Sequence, residues 1–266
     1  MLLFEISEQK KIDIFIIIFT NMKLYTDIMT LILDNEKIIM QGMDISRVLL
    51  HDFQFEKDWF NEYNISNKLQ FALKSETVEN ILKFYSKGQK IRFLSDENNI
   101  SIVKFEFINI DKNSKELNKY FELGKNESND DELLDIPIIT YDSILKIDIK
   151  KFKSLINDLS KMGKKLMFNC MKEKCSISTL GVLIDIEKTQ IDNYILLSNE
   201  PVNLTFSLSL LINICKLEKL SDTINIKLNK LTPLLIEYNI GEEDDEINEQ
   251  LKFKFYLAPY EDNEDN

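Results

Sequence analysis

Glycine is scarce, with six residues in 266, and none of them stands in a Gly-rich phosphate loop or a GxSxG nucleophile turn. Four prolines are spread as thinly, while Ile, Asn and Lys are abundant, a usage that points to an AT-rich genome rather than to an activity. Three cysteines, Cys170, Cys175 and Cys215, include no CxxC pair, and the first two lack the partners to complete four zinc ligands. They are expected to be buried, reduced thiols of an intracellular protein. His51 is the only histidine, so the usual catalytic kits are absent and His51 is expected to be structural or on the surface. Long apolar runs are missing too. Ile14 to Phe19, behind Lys10 and Lys11, imitates a signal peptide but is too short and lacks a small-residue cleavage site. Nothing else approaches the length that crosses a bilayer. These absences predict a soluble, intracellular protein that is no enzyme and needs no cofactor or metal.

What is present is core material and acid. Hydrophobic residues make up 44% of a chain long enough for one large or two ordinary domains. The formal net charge of -12 argues, taken alone, against nucleic-acid binding. Its distribution changes that reading. From Gly124 to Asp135 five acids face one lysine, and from Gly241 onward ten acids face Lys252 and Lys254. These two segments carry the whole imbalance, and the rest of the chain is neutral. Contiguous carboxylates such as Asp130-Asp131-Glu132 and Glu242 to Glu246 could serve a metal-dependent nuclease. Two-metal catalysis, however, needs acids converging from separate elements, so solvated loops are expected there.

The most polar break, Lys112 to Asp135, precedes Pro137 and reads as an exposed connection between two halves. The halves resemble each other. Leu69, Phe71 and Leu73 alternate into a helical stretch and then Ile91 and Phe93; Leu204, Phe206 and Leu208 lead through a helical stretch to Ile224, Ile226 and Leu228. A hairpin from Leu31 to Met40 around Asp34-Asn35 pairs with one from Leu166 to Ile177 around Met171 to Lys174. Internal duplication explains both correspondences. Strand-like alternation dominates (Ile100-Ile102, Phe105-Phe107, Leu183 to Ile186, Leu251-Phe253-Phe255), and helices are predicted near 9–23, 75–87, 150–162 and 207–216. The fold class is therefore α+β.

The predicted helices carry lysine outward. In the third, Phe152, Leu155, Ile156, Leu159 and Met162 share one side, opposite Lys150, Lys153, Asn157, Lys161 and Lys164. In the second, Ser75 is the expected N-cap and Gly88 the stop, with Val78, Ile81, Leu82 and Tyr85 inward and Asn80, Lys83 and Lys87 outward. The fourth has a polar stripe of Ser209, Asn213 and Lys216, and the first one of Asp13, Thr20 and Lys23. Lysine is a point charge suited to phosphates, so any DNA contact is expected to be non-specific and salt-sensitive.

Several spaced blocks resemble the proliferating cell nuclear antigen (PCNA) family of sliding clamps. They are Gln41 to Val48 (QGMDISRV), Glu200 to Phe206 (EPVNLTF), Pro233 to Tyr238 (PLLIEY) and Leu251 to Pro259 (LKFKFYLAP) ahead of an acidic tail. Leu134 to Pro137 and Asp158 to Ser160 fall in register, so the resemblance spans essentially the whole chain. It implies a DNA clamp fold: two duplicated domains with antiparallel sheets outside and helices on the inner face, three chains closing a ring around double-stranded DNA. The implied division is 1–123, a connector at 124–135, 136–260, and an acidic tail at 261–266. The implied DNA-facing residues are Lys23, Lys83, Lys87, Lys150, Lys153, Lys161 and Lys216. A pocket for the PIP-box motif of partners would be lined by Met43, Leu50, Leu134, Ile136, Pro137, Tyr141, Pro233, Tyr256, Ala258 and Pro259.

The same resemblance implies partners: DNA polymerase, a clamp loader, and PIP-box proteins of replication and repair such as flap endonuclease and ligase. It places ring closure on edge strands near Asp111 to Leu123 and Gly181 to Gln190, and localisation in the nucleus or at the replication site of a large DNA virus. No membrane is implied. The chain departs from the family in carrying Ile16 and Ile17 where paired lysines face DNA on the first helix, and Ser154 and Asn157 at basic positions of the third. Lys172 matches a lysine that receives ubiquitin. A heterotrimeric checkpoint-type clamp is the alternative to a homotrimer.

Overall fold

The computed structural model describes residues 1–95, 101–126, 133–172, 174–186, 193–197, 201–240 and 251–260. They separate into two units, the first from the described residues of Met1–Gly42, Asp52–Leu134 and Asp244–Lys252, the second from those of Met43–His51, Asp135–Glu243 and Phe253–Asn266. Ile100, residues 127–132 of the acidic stretch from 124 to 135, residues 187–190 and the tail 261–266 lie outside the described residues.

The first half of the chain runs β1 (Leu2–Ile6), α1 (Gln9–Asn21), β2 (Ile28–Leu33), β3 (Lys37–Met43), β4 (Leu49–Glu56), β5 (Glu62–Tyr63), β6 (Leu69–Lys74), α2 (Ser75–Leu82), β7 (Gln89–Ser95), β8 (Ile102–Asn109) and β9 (Lys119–Gly124). The second runs β10 (Ser143–Asp148), α3 (Ile149–Leu159), β11 (Lys165–Cys170), β12 (Cys175–Thr179), β13 (Val182–Ile186), β14 (Asn193–Leu196), β15 (Val202–Ser207), α4 (Leu208–Ile214), β16 (Thr223–Leu228), β17 (Leu234–Tyr238) and β18 (Leu251–Leu257). Element for element the two orders coincide. The strand orders coincide as well: β5-β1-β7-β8-β9 answers to β14-β10-β16-β17-β18, and β4-β3-β2-β6 to β13-β12-β11-β15. The expected hairpins are present, with Leu31 opposite Met40 and Cys170 opposite Cys175.

Alternation sets which side chains meet. In β7, Ile91 and Phe93 point inward, and Phe93 stacks on Phe4 of β1 at 5.0 Å between ring centroids, with Phe105 at 4.9 Å and Phe71 at 5.7 Å edge-on. Helix α1 adds Phe15 against Phe4 and Phe19 against Phe55. Truncating Phe93 to alanine removes the ring that all three neighbours touch, so the first unit is expected to lose about 3–5 kcal/mol of stability. Urea unfolding followed by tryptophan fluorescence checks this, since Trp59 is buried in the same cluster. The second unit is poorer in rings and packs Phe152, Phe168 and Phe206 among aliphatic side chains.

Tertiary contacts correct several helix details. Helix α2 ends at Leu82, and the residues beyond it wind in tight turns, Phe84 N–H donating to Ile81 and Tyr85 N–H to Leu82. Tyr85 is half-buried, its ring edge-on against the buried Phe107. Ser75 is not the N-cap. It is the first helical residue, buried, with its N–H donated to the Asp27 carbonyl, and Lys74 holds the cap position. Gly88 does not stop the helix; with φ of 93° it turns the chain into β7. Helix α3 begins at Ile149, where the Asp148 carboxylate accepts the Lys151 N–H at 2.9 Å, and stops at Leu159. Met162 therefore lies past the helix and is exposed instead of inward. Gly163 follows because a Cβ there would collide with Thr179 Oγ1. Helices α1 and α4 each give way to a single 3-10 turn, at Met22–Leu24 and Cys215–Leu217.

Candidate functional site

In each unit the two helices pack side by side and gather the lysines. In the first unit the Glu79 carboxylate of α2 takes Lys23 at 2.8 Å and Lys83 at 3.0 Å. Glu79 is buried, and Lys23 first, then Lys83, hold its carboxyl below the usual range against the opposing effect of burial. Lys87 is exposed in the turn beyond the helix. Ile16 and Ile17 are half-buried on α1.

The second unit repeats the device with other residues. Lys153 of α3 meets Glu218, just past the 3-10 turn that follows α4, at 2.7 Å. Lys150 meets Asp222 at 3.1 Å and Lys161 meets Asp158 at 2.7 Å, while Lys216 is exposed on the 3-10 turn. Sequence periodicity found the lysines and missed their acids, which lie 56 residues from Lys23 and 65 from Lys153.

Nine of the ten expected pocket residues belong to the second unit, and Leu134 belongs to the first, where it exchanges two hydrogen bonds with the Gln41 side chain. The segment Met43–His51 is wound around Asp44. Its carboxylate accepts the N–H groups of Leu49 at 2.7 Å, Val48 at 2.8 Å and Ser46 at 3.3 Å, and the Ser46 hydroxyl. Burial works to raise the Asp44 carboxyl, but these donors together leave it below its ordinary value. Arg47 takes a positive φ of 57° to close the turn. Ala258 N–H donates to Val48 C=O at 2.9 Å, and Leu234 pairs with Leu257, which sets Pro233 beside Ala258 and Pro259. Asn229 donates to Thr140 C=O and Lys230 N–H to Asp142, which brings Tyr141 alongside the same turn. Burial, helped by the Glu237 carboxylate, pushes the Tyr141 phenol up to about 12.

The residues expected to line the pocket grade from Tyr256, 8% exposed, through half-buried Leu50, Ile136, Tyr141, Pro233, Ala258 and Pro259, to Pro137 and Met43 at the surface. Three aliphatic side chains on the same segments escaped the sequence reading: Ile45, Ile138 and Leu231, all nearly fully exposed. For Ile45 and Leu231 the available signal was an apolar residue between polar neighbours in a turn; Ile138, between Pro137 and Ile139, offered none.

Strand β9 ends the five-stranded sheet of the first unit, and β13 ends the β13-β12-β11-β15 run of the second. Residues 111–118, expected to be part of the first edge strand, lie outside β9 and are irregular apart from a turn at Lys112 and Asn113; Asn109 is bound to the Glu116 carbonyl and the Asn118 side chain. Tyr120 on β9 and Leu183 on β13 are 64% and 68% exposed.

Comparison with known proteins decides between readings of this arrangement. Residues 4–131 match the family model described as proliferating cell nuclear antigen, N-terminal domain, and residues 135–260 match the one described as its C-terminal domain. The chain belongs to the proliferating cell nuclear antigen family. It is similar to the proliferating cell nuclear antigen of Chaetomium thermophilum, 28% identical over 233 residues that cover 84% of this chain and 85% of that protein. PCNA-family proteins are non-enzymatic sliding clamps that self-assemble, encircle DNA and bind replication proteins. Within that frame His51 has a structural place: it is buried, and burial pulls its pKa down to about 4, so it is neutral at physiological pH. The three cysteines are buried and reduced. Among the described residues no group of His, Cys, Asp and Glu is arranged to hold a metal, and no helix is long and apolar enough to cross a membrane. Asp130 and Asp131, considered for a nuclease, lie outside the described residues.

Proposed function

We propose that this chain closes as a homotrimer on double-stranded DNA and tethers DNA polymerase and PIP-box proteins, flap endonuclease and ligase among them, after a clamp loader opens the ring. The observation that carries this reading is the pair of open edges. One unit ends in β9 and the other in β13, each with backbone groups open to pairing and a large apolar side chain turned outward. Heterologous pairing of two different edges generates a ring when the rotation closes. Functionally the chain divides at 1–123, a connector at 124–135, 136–260 and a tail at 261–266. Partners insert an apolar motif among Met43, Leu50, Tyr141, Pro233 and Tyr256, with Leu134, Ile136, Pro137, Ala258 and Pro259 completing the pocket. The protein works in the nucleus or at the replication site of a large DNA virus.

Lys23, Lys83, Lys87, Lys150, Lys153, Lys161 and Lys216 line the hole, and five of the seven are shared with carboxylates. A lining so tempered suits a ring that holds DNA by topology and must slide. Glu79→Gln frees Lys23 and Lys83 for phosphate. Its affinity for duplex DNA is expected to rise several-fold at low salt, with the slope of log K against log salt steepened by about one to two. Fluorescence anisotropy over a salt series measures this, and an unchanged slope would take those two lysines off the DNA path. The assembly itself is tested by light scattering together with primer extension on a circular template. Three chain masses and longer products support the homotrimer; a single chain that forms a ring only with other subunits supports the checkpoint-type alternative.

A further inference from the structure

The β11–β12 hairpin closes with Met171 N–H donating to Lys174 C=O at 2.8 Å. The next rung is Cys170 opposite Cys175, and their sulfur atoms stand 3.1 Å apart. A rung next to a hydrogen-bonded pair is a non-hydrogen-bonded one, in which the Cα atoms approach to about 4.5 Å. Disulfides accept Cα separations of about 4.4–6.8 Å, so the strands already stand where a bridge needs them. Neither thiol is used by the clamp surfaces described above.

We propose that Cys170 and Cys175 form a two-electron oxidation site that takes a peroxide as oxidant and closes to a disulfide across the hairpin tip. One sulfur, having given up its proton, attacks a peroxide oxygen; the O–O bond breaks and the leaving hydroxide takes a proton to become water. The resulting sulfenic acid is attacked by the second sulfur, the S–O bond breaks, and a second water leaves. Two thiols are oxidised to one disulfide and one hydrogen peroxide is reduced to two waters.

Both side chains are fully buried, and the neighbouring thiol together with burial raises Cys175 far above the ordinary thiol range. The reaction therefore proceeds through opening of the hairpin tip and is slow. Its product needs no movement of the strands and pins the turn that carries Met171 and Lys172. Cys215, buried beside α4 and pushed up to about 12 by its burial, serves as the internal comparison.

The folded chain is incubated with hydrogen peroxide for hours while circular dichroism follows the fold, then alkylated, cut with trypsin and analysed by mass. Trypsin cuts after Lys172 and Lys174, between the two cysteines, so a bridge leaves two peptides joined. The expected result is that joined pair, lighter by two hydrogen atoms, released by dithiothreitol, retained in Cys215→Ser and lost in both Cys170→Ser and Cys175→Ser. Recovery of Cys170 and Cys175 as thiols or as sulfinic acids, or a bridge that forms only once the fold is lost, would overturn the proposal.

Discussion

A Leu183→Pro chain is expected to fold yet to remain at one chain mass of 31.3 kDa, and the unaltered chain, as the proposed homotrimer, is expected at three times that mass. The reason lies in the β12–β13 ladder. Thr179 pairs with Val182 across the Leu180-Gly181 turn, Gly181 supplying the positive φ of 72°. In an antiparallel ladder closed by a two-residue turn that first pair is hydrogen-bonded, so the next residue, Leu183 opposite Ser178, turns its N–H to the open edge. Proline at an edge position removes an outward donor and leaves the inner ladder intact. Strand addition from a second copy then loses a hydrogen bond and meets the ring at the same place. Light scattering should show the single chain with an unchanged circular dichroism spectrum, and primer extension should lose its stimulation completely. A trimeric Leu183→Pro chain would remove β13 from the subunit interface.

The second large effect belongs to Asp44. Replacing it by alanine leaves the N–H groups of Ser46, Val48 and Leu49 without their acceptor and releases the turn that Arg47 closes with a positive φ. Met43 and Leu50 lose their fixed positions while the edges and helices are untouched. Affinity for a PIP-box peptide is expected to fall at least tenfold, about 1.4 kcal/mol, with trimer mass retained. Isothermal titration beside light scattering separates the two. The pH dependence has a defined sign. The Asp44 carboxyl sits lower in the folded chain than in the unfolded one, so its contribution is complete above the ordinary carboxylate range and disappears as pH falls through the lowered value. Peptide binding should therefore be flat near neutrality and weaken in acid, and Asp44→Asn should bind at neutral pH much as the native chain does in acid.

Much of this architecture is readable in the amino-acid order. The alternation Leu69-Phe71-Leu73 and its counterpart Leu204-Phe206-Leu208 mark β6 and β15, each feeding a helix, because the two-residue period of a strand and the 3.6-residue period of a helix leave different traces. Helix ends were less legible. Ser75 has the side chain of a cap, but its N–H is taken by Asp27, 48 positions earlier, and no local rule contains that bond. The lysines were visible for the same reason the helices were. Their carboxylates were not, since Glu79 and Glu218 reach Lys23 and Lys153 only through helix packing. The proposed partner pocket rests on resemblance alone, since its residues are turns and strand ends without a period. Ile45 and Leu231 went unread because two polar neighbours are a weak mark of exposure, and Ile138, between Pro137 and Ile139, lacked even that.

The claim that DNA is held by topology is tested most directly by loading the clamp on a nicked circular plasmid, raising the salt, and then cutting the circle at one site. The account predicts that the protein stays with the circle through the salt step and runs off the linear ends within minutes of the cut. Equal retention on circle and linear DNA, or release from the intact circle at the salt step, would contradict it.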